Sequence, residues 1–298
     1  MERDTLKFAA FVMTYKRQAI AKQTVEALFN QTVPPEKLLI IDNDKLQSGK
    51  IIQEQLGHLP ITYYAVGFNS GPAGAAAIGL KLLAEEGYQW IAWIDDDDPP
   101  AFKDVLEKLL YIVLHNPKCG CVGVAGQFFN RQTGLIERIN NSEIADKGFL
   151  EVDFIAGGMI KIVNGIMIKE YNILPEEKYF FGFEDLDLDL KIKKTGYSLI
   201  VDKELYLRHR NFYNRLNFKN KTHKKTERQL VRDYYSSRNI LNILYKNGFF
   251  SAIVFTLFRI FFKCLSHFRY GILYGLKNCK YQIGAIIHFI IRKYGKTI

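Results

Sequence analysis

Short apolar runs alternate with helix-like segments through the first half of this chain, and this alternation is what most constrains its fold. Runs at 6–13, 38–41, 61–66, 90–94 and 121–125 are typical of buried strands, and the stretches between them carry apolar residues at helical spacing. Strands that alternate with crossover helices build a parallel sheet. The pattern therefore predicts an α/β fold, with a mostly parallel central sheet and helices on both faces.

Three of these strands end in polar or acidic residues. Thr14 and Tyr15 follow the first strand, Asp42 ends the second, and four consecutive aspartates at 95–98 end the fourth. The carboxyl ends of parallel strands share one edge of a sheet, and ligands bind in the crevice beyond that edge. We therefore expect these three loops to converge on one site.

The four aspartates at 95–98 are the sharpest chemical feature of the sequence. Adjacent carboxylates repel one another, so such a cluster next to a buried strand is costly unless a cation neutralises it. Oxygen ligands favour a hard divalent ion such as Mg²⁺ or Mn²⁺. The alternative is a solvated acidic turn that caps the next helix.

Two further groups could take part in chemistry. Glu184 and Asp185 follow an aromatic segment at 180–183, where a carboxylate can have a raised pKa and accept a proton from a hydroxyl. They could equally be the ordinary acids of a first helical turn. His209 ends a predicted strand at 205–209 and is either a metal ligand or a structural residue. The polar, basic residues 210–226 are predicted to form a mobile loop.

Several short segments carry a resemblance to a known family through their order and spacing. They are VMTYKR at 12–17, IDN at 41–43, NSGPAG at 69–74, WIDDD at 93–97, AGG at 156–158, FFGFEDLDL at 180–188 and YYSSRN at 234–239. Over about residues 7–245 the chain resembles family 2 glycosyltransferases of the GT-A fold. It is similar to the bacterial rhamnosyl- and galactofuranosyltransferases of surface polysaccharide synthesis.

The resemblance implies roles for the candidate residues. Five would bind the sugar-nucleotide donor: Thr14, Tyr15, Asp42, Asn69 and Asp96. Three would hold Mn²⁺ or Mg²⁺ on the donor diphosphate: Asp95, Asp97 and His209. Asp185 would be the catalytic base, with Glu184 beside it. The implied reaction is a single displacement with inversion, from a UDP- or dTDP-sugar to a hydroxyl of a glycan or lipid-linked oligosaccharide.

The end of the chain has a different character. The net charge is +10, and no Asp or Glu follows Asp233. Helices predicted at 250–268 and 277–292 have wide apolar faces with basic edges, as expected of helices lying in an anionic membrane surface. Charged residues interrupt both before they reach the roughly 20 apolar residues of a spanning helix. The alternative is packing on the domain or on a second subunit, which would make a homo-oligomer.

These observations predict a catalytic GT-A domain at 1–246 and an attachment segment at 247–298. The protein would be peripheral at the cytoplasmic face of a bacterial cell membrane. Two other functions remain open. A nucleotidyltransferase would more often have a glycine-rich loop after the first strand, and residues 14–17 contain no glycine. A nucleic-acid-binding protein would interleave aromatic and basic residues on one face. Here they are segregated, so nucleic acid is not an expected partner.

Overall fold

The computed structural model describes residues 6–157, 160–217 and 223–298. Its strands are β1 Phe8–Thr14, β2 Lys37–Asp42, β3 Ile61–Ala65, β4 Trp90–Asp95, β5 Cys119–Gly123, β6 Gly126–Asn130, β7 Leu135–Arg138, β8 Phe149–Val152, β9 Phe154–Ile155, β10 Lys161–Asn164 and β11 Ser198–Asp202. Its α-helices are α1 Gln18–Phe29, α2 Ser48–Gln55, α3 Gly71–Glu85, α4 Val105–His115, α5 Gly165–Tyr171, α6 Glu184–Lys194, α7 Lys203–Phe212, α8 Glu227–Lys246, α9 Phe250–His267 and α10 Ile272–Ile290.

Within these ranges, eight strands form the central sheet in the order β3-β2-β1-β4-β10-β5-β11-β8. Strands β3, β2, β1 and β4 pair in parallel, and β5 pairs in parallel with β11. Strands β10 and β8 run antiparallel to their neighbours. A small antiparallel sheet, β7-β6-β9, lies beside the main one. The predicted α/β fold with a mostly parallel sheet is confirmed.

Both faces of the sheet are buried, and β1 shows why. Its alternate residues Ala10 and Val12 pack into one core with α1 and α4, whereas Phe11 and Met13 pack into the other with α3. Helix α3 lies so close to the sheet that a Cβ at Gly79 would sit 2.6 Å from the Phe11 ring. Burial on both faces explains why this strand has a continuous apolar sequence without alternation.

The segment at 205–209, predicted to be a strand, is instead part of α7. The Asp202 carboxylate accepts a hydrogen bond from the backbone N–H of Leu205 (2.6 Å), which caps the helix at its start. The segment is LYLRH, and in five residues with three apolar ones periodicity alone cannot distinguish a strand from a buried helical face. Helix α7 also takes in residues 210–212 of the predicted loop, and residues 218–222 lie outside the described ranges.

Helices α9 and α10 pack against α8 and against each other. In the described part of the chain, one segment, Phe250–Tyr270, is long and apolar enough to cross a membrane by length and composition alone. Arg259 and Lys263 interrupt this segment, so it is not an uncharged apolar run. Only 28% of the most apolar 18-residue stretch of this segment is buried in the protein, so the segment is not an ordinary core helix.

A fully buried ion pair joins α6 to the middle of the sheet. Lys161 Nζ on β10 lies 2.7 Å from Asp189 Oδ1, and both side chains are 0% exposed. The other carboxylate oxygen of Asp189 accepts from the N–H of Ile155 (2.7 Å), and the ammonium group lies 5.3 Å from the centre of the Trp93 ring. The pair therefore fixes the position of α6 relative to the sheet.

Breaking this pair from one side should strongly destabilise the fold. We expect Asp189→Asn to lower the free energy of unfolding by about 3–5 kcal/mol, because it leaves an uncompensated buried ammonium group. Lys161→Met combined with Asp189→Leu should recover most of that loss. Glu86→Gln, which breaks the more exposed pair with Lys37, is the matched control and should cost no more than about 1 kcal/mol. Urea unfolding measures all three, and a small loss in Asp189→Asn alone would contradict the assignment.

Candidate active site

The three polar strand ends converge as predicted. A cavity of about 470 Å³ lies beyond the carboxyl ends of β1, β2 and β4, a volume within the range of small-molecule sites. Its lining residues are Met13, Thr14, Tyr15, Arg17, Asn43, Asn69, Gly71, Pro72, Asp95, Asp96, Asp97, Phe180, Phe181, Arg228, Val231, Arg232 and Tyr235. Six of the ten candidate site residues are among them.

The loop after β1 positions an arginine against the aspartates. Lys16 adopts a left-handed conformation (φ 57°), and its N–H donates to Asp44 Oδ2 at 2.8 Å. This turn directs Arg17 to Asp96, with Nη2 and Oδ1 2.8 Å apart, and to the carboxylate of Asp97. Arg17 therefore neutralises part of the negative charge at the end of β4.

The aspartates at 95–98 differ in exposure and in pKa. Asp96 is only 2% exposed, whereas Asp97 faces solvent. Burial raises the pKa of Asp95 to about 7, and the charges of Asp97, Asp96 and Asp185 add to the effect. Burial also raises the pKa of Asp96 to about 6, against the opposing effect of Arg17, and that of Asp98 to about 6. The site thus holds more negative charge than its cationic neighbours stabilise.

This donor set fits a divalent cation in its chemistry. Asp95 and Asp97 offer carboxylate oxygens on the cavity wall, and Asp96 Oδ2 is buried without a hydrogen-bond partner. Mg²⁺ and Mn²⁺ prefer such oxygen ligands, and Mg²⁺ commonly takes one or two carboxylates plus substrate phosphates. Across the described residues, no three His, Cys, Asp or Glu side chains are already grouped to hold a metal ion by themselves.

His209 lies away from the main cavity. It is buried on α7 and lines a small separate cavity together with Asp98 and Val124. Burial, aided by the charge of Arg215, lowers the pKa of His209 to about 4, so the imidazole is neutral at pH 7. A neutral imidazole can ligate a metal, yet its neighbour here is Asp98 rather than the predicted Asp95 and Asp97. Its role as a metal ligand stays a prediction.

Asp185 and Glu184 begin α6 next to the aspartates. Asp185 Oδ2 accepts from the N–H of Gly157 at 2.9 Å, and a Cβ on Gly157 would crowd both Trp93 and Asp185. Gly158, the next residue of the predicted AGG segment, lies outside the described residues. Neither Asp185 nor Glu184 lines the cavity itself, but the charge of Asp185 raises the pKa of Asp95 on the cavity wall.

Glu184 is in a different electrostatic state from an ordinary surface glutamate. Burial raises its pKa to about 8, with further contributions from the charges of Asp185 and Asp95. Its Oε2 is buried without a hydrogen-bond partner. A carboxyl group in this state is mostly protonated at pH 7. Of the two residues proposed for the base from sequence, Glu184 is therefore the weaker candidate.

Asp42 is placed differently from its predicted role. Its carboxylate is fully buried and accepts from the N–H of Gly49 (2.8 Å) and of Asp44 (3.1 Å), so it holds the start of α2 against β2. The neighbouring Asn43 lines the cavity instead. Contact of Asp42 with a base or ribose stays a prediction.

Asn69 orders the loop that begins α3. Its Oδ1 accepts from the N–H of Gly71 at 3.0 Å, and Gly71 has a φ of +72°. A Cβ at Gly71 would lie 2.0 Å from the carbonyl oxygen of Phe180. This glycine therefore lets two distant segments of the predicted motif, at 69–74 and at 180–188, meet at the cavity.

The comparisons with known proteins agree with this geometry. Residues 10–162, just over half of the chain, match the model of the family described as Glycosyl transferase family 2. The chain belongs to glycosyl transferase family 2. This glycosyltransferase is 24% identical over 199 residues to galactofuranosyltransferase GlfT1 of Mycolicibacterium smegmatis (strain ATCC 700084 / mc(2)155). The match takes in 63% of this chain and 65% of the relative, so the chain spans about 65% of the length of that curated relative.

Solved structures show the same architecture. The mannosyltransferase PcManGT of Pyrobaculum calidifontis, in complex with GDP-Man and Mn²⁺, superposes with a TM-score of 0.55 at 12% identity, over 96% of this chain and 88% of that one. TarS 1–349 of S. aureus, in complex with UDP-GlcNAc, gives 0.57 at 17% identity, over 95% and 80%. Both are GT-A glycosyltransferases, so the predicted GT-A fold is confirmed.

Three arginines of the glycosyltransferase were missing from the residues predicted to form the site. Arg17 belonged to a recognised segment but had no assigned role, and Arg228 and Arg232 lie on α8, far along the chain. Arg232 stacks over the Phe181 ring at 5.0 Å. The spacing of Arg228, Val231, Arg232 and Tyr235 repeats every three to four residues, so one helical face reaches the cavity. This spacing could have indicated from the sequence that these four residues share one face of α8.

The pKa of Glu184 predicts a pH-dependent gain in stability for Glu184→Gln. Because the folded state holds this proton more tightly than the unfolded chain, wild-type stability falls as pH rises from about 4.5 to about 8. Glutamine has no such loss. Without added metal, the Tm of the variant relative to wild type should rise by roughly 2–4 °C per pH unit over this window. Glu54→Gln, at an exposed position, is the control and should show a flat difference. A flat difference for Glu184→Gln would mean that this residue is ionised in the fold.

Proposed function

We propose that this glycosyltransferase moves a sugar from a nucleoside-diphosphate donor to a hydroxyl group of a glycan or lipid-linked glycan, with inversion, during surface polysaccharide synthesis. One observation carries the proposal: Asp95, Asp96 and Asp97 share a cavity with Arg17 and Arg232, and Asp185 is close enough to act on the pKa of Asp95. The galactofuranosyltransferase relatives support sugar transfer in polysaccharide synthesis.

The cavity wall offers two kinds of chemical group, which suggest how a donor binds. Thr14, Tyr15 and Asn43 contribute hydroxyl, aromatic and amide groups suited to a base and ribose. Arg228 and Arg232 supply cationic groups suited to the diphosphate. We favour a UDP- or dTDP-sugar. The TarS complex with UDP-GlcNAc supports a pyrimidine donor, although PcManGT was solved with GDP-Man.

Residues of this chain can meet the electrostatic demand of the reaction. A bound Mn²⁺ or Mg²⁺, held by Asp95 and Asp97, would neutralise negative charge that grows on the leaving diphosphate. Arg17 pairs with both Asp96 and Asp97, so a cation held by Asp97 would take over part of the charge neutralisation that Arg17 now provides. The Mn²⁺ in the PcManGT complex supports this proposal.

Asp185 is the proposed general base. Its orientation is set by the Gly157 amide, and Glu184 beside it is mostly protonated and so less able to accept a proton. Asp185 would take the proton of the acceptor hydroxyl as that oxygen attacks the anomeric carbon from the face opposite the diphosphate. The family assignment favours this reaction over nucleotidyl transfer and over nucleic-acid binding.

The proposed metal ligands Asp95 and Asp97 predict that activity depends on a divalent metal ion and on Asp97, but not on Asp98. With a panel of UDP-, dTDP- and GDP-sugars and Mn²⁺, we expect release of nucleoside diphosphate that EDTA abolishes reversibly. Asp97→Ala should lower this rate roughly 10²–10³-fold, the size of a lost electrostatic stabiliser. Asp98→Asn is the matched control, since Asp98 lines the separate cavity beside His209. If Asp98→Asn lost activity and Asp97→Ala kept it, the metal-binding register would be shifted by one residue.

If Asp185 is the general base, its substitution should lower kcat without weakening donor binding. Asp185→Asn keeps the shape and the hydrogen bond to Gly157 but removes the basicity. The kcat should fall roughly 10²–10⁴-fold, whereas donor affinity measured by calorimetry should be nearly unchanged. Glu184→Gln should retain most of the activity. Wild-type turnover in Asp185→Asn would show that another group is the base.

A further inference from the structure

Helices α9 and α10 are arranged with their small and polar residues toward the protein. Together they bury nine residues, and Ile260 is the single large aliphatic side chain among them. Thr256, Asn278 and Gln282 are among the buried ones, and Gln282 Oε1 accepts from Ser237 Oγ on α8 at 2.7 Å. A helix pair held only by the hydrophobic core of a domain would bury its large apolar side chains instead.

Most large apolar side chains of both helices point outward, although Ile253, Leu257, Ile286 and Phe289 pack partly inward. Phe258 and Phe262 on α9 are 60% and 63% exposed, and Leu273 on α10 is 84% exposed. Phe261, Leu276 and Ile287 are exposed as well, and we call these six side chains the apolar face. Proteins rarely leave a large contiguous apolar surface in water, and such surfaces mark sites of contact with a partner or a membrane.

The charges around the apolar face have one sign. No Asp or Glu follows Asp233. Lys263 and Lys277 pair with acids of α8, at 2.8 Å from Asp233 and 2.7 Å from Glu227, so they hold the helices to the protein. Arg259, Lys280 and Arg292 are exposed. These remaining charges suit an anionic surface and would repel a second copy of the same face.

We propose that the apolar face is the surface by which this protein docks on a membrane leaflet that contains anionic lipid. The proposal deepens the proposed function, because it places the acceptor on a lipid carrier in that leaflet. Sugar nucleotides are too highly charged to cross a bilayer, so the leaflet is the cytoplasmic one of the cell membrane.

The helices lie along the leaflet rather than across the bilayer. The segment Phe250–Tyr270 has the length to span a bilayer, so its charges and its contacts with α8, rather than its length, distinguish the two placements. Arg259 faces outward in its middle, where a spanning helix would place it in hydrocarbon, but at an interface it can reach the headgroups. Spanning would also require the ion pairs of Lys263 and Lys277 with α8 to break.

This orientation brings the catalytic cavity near the leaflet. Tyr234 of α8 packs with Ala285 on α10, and the neighbouring Tyr235 lines the cavity. One helix therefore separates the cavity from the docking helices, and a helix with its side chains is about 10–12 Å across. An acceptor anchored in lipid could reach the site without the protein entering the bilayer.

Sedimentation of the full chain with vesicles tests the docking surface. The protein should pellet with vesicles of equal parts phosphatidylcholine and phosphatidylglycerol, and less with phosphatidylcholine alone. Phe258→Gln combined with Phe262→Gln should weaken binding roughly tenfold or more, since two aromatic side chains no longer leave water. Tyr111→Gln with Leu114→Gln, at exposed positions on α4, is the matched control and should bind as wild type does. High salt should weaken binding only partly.

Three results would overturn the proposal. One is wild-type protein that stays in the supernatant with both vesicles. The second is a dimer in light scattering that the Phe258 and Phe262 changes convert to monomer, which would make this face a self-association surface. The third is resistance to alkaline extraction from vesicles, which would indicate spanning. If the double variant fails to fold by circular dichroism, Leu273→Gln with Leu276→Gln replaces it. Donor hydrolysis is measured in parallel, so vesicle binding without hydrolysis would count against the proposed function alone.

Discussion

Negative charge concentrated at the end of β4 is the constraint on which the rest of this molecule depends. Asp95 and Asp96 have raised pKa values because they are buried close to other carboxylates. Several unrelated parts of the fold respond to this charge. The left-handed turn at Lys16 places Arg17 beside the aspartates, and α8 contributes Arg228 and Arg232 to the cavity wall. Glu184, buried close to other carboxylates, has a pKa raised to about 8 and is mostly protonated at pH 7. These charges are the basis for the proposed binding of a cation and of donor phosphates.

The convergence of Thr14, Tyr15 and the aspartates could be predicted from the sequence, because it follows from parallel strands alone. The arginines of α8 could not be assigned in the same way. They lie more than 130 residues after Asp95, and only the folded chain shows that their helical face turns toward the cavity. Asp42 illustrates the opposite case: it ends a strand at the correct edge, but the amides of Gly49 and Asp44 occupy its carboxylate.

The segment at 205–209 and the final helices show a second limit of periodicity. The five residues LYLRH fit a strand or one turn of α7, and the Asp202 cap favours the helix. In α9 and α10 the spacing correctly indicated two amphipathic helices. It could not say which face meets the protein, because that depends on polar partners such as Ser237 on α8. The boundary at residue 247 stays a prediction for the same reason.

The contacts of Arg238 argue that this boundary does not separate independent parts. Arg238 is fully buried, and its guanidinium donates to the carbonyl oxygens of Tyr179 (2.9 Å) and Gly295 (3.1 Å). Tyr179 begins the aromatic loop that lines the cavity, and the adjacent Asn239 donates to the carbonyls of Phe181 and Gly182 in the same loop. One side chain thus ties the end of the chain to the loop that precedes Asp185. Removing the final segment would take away two acceptors of this buried guanidinium, Gly295 O and Thr297 Oγ1. The parts proposed to contact lipid and those proposed to bind donor are therefore expected to fold as one unit.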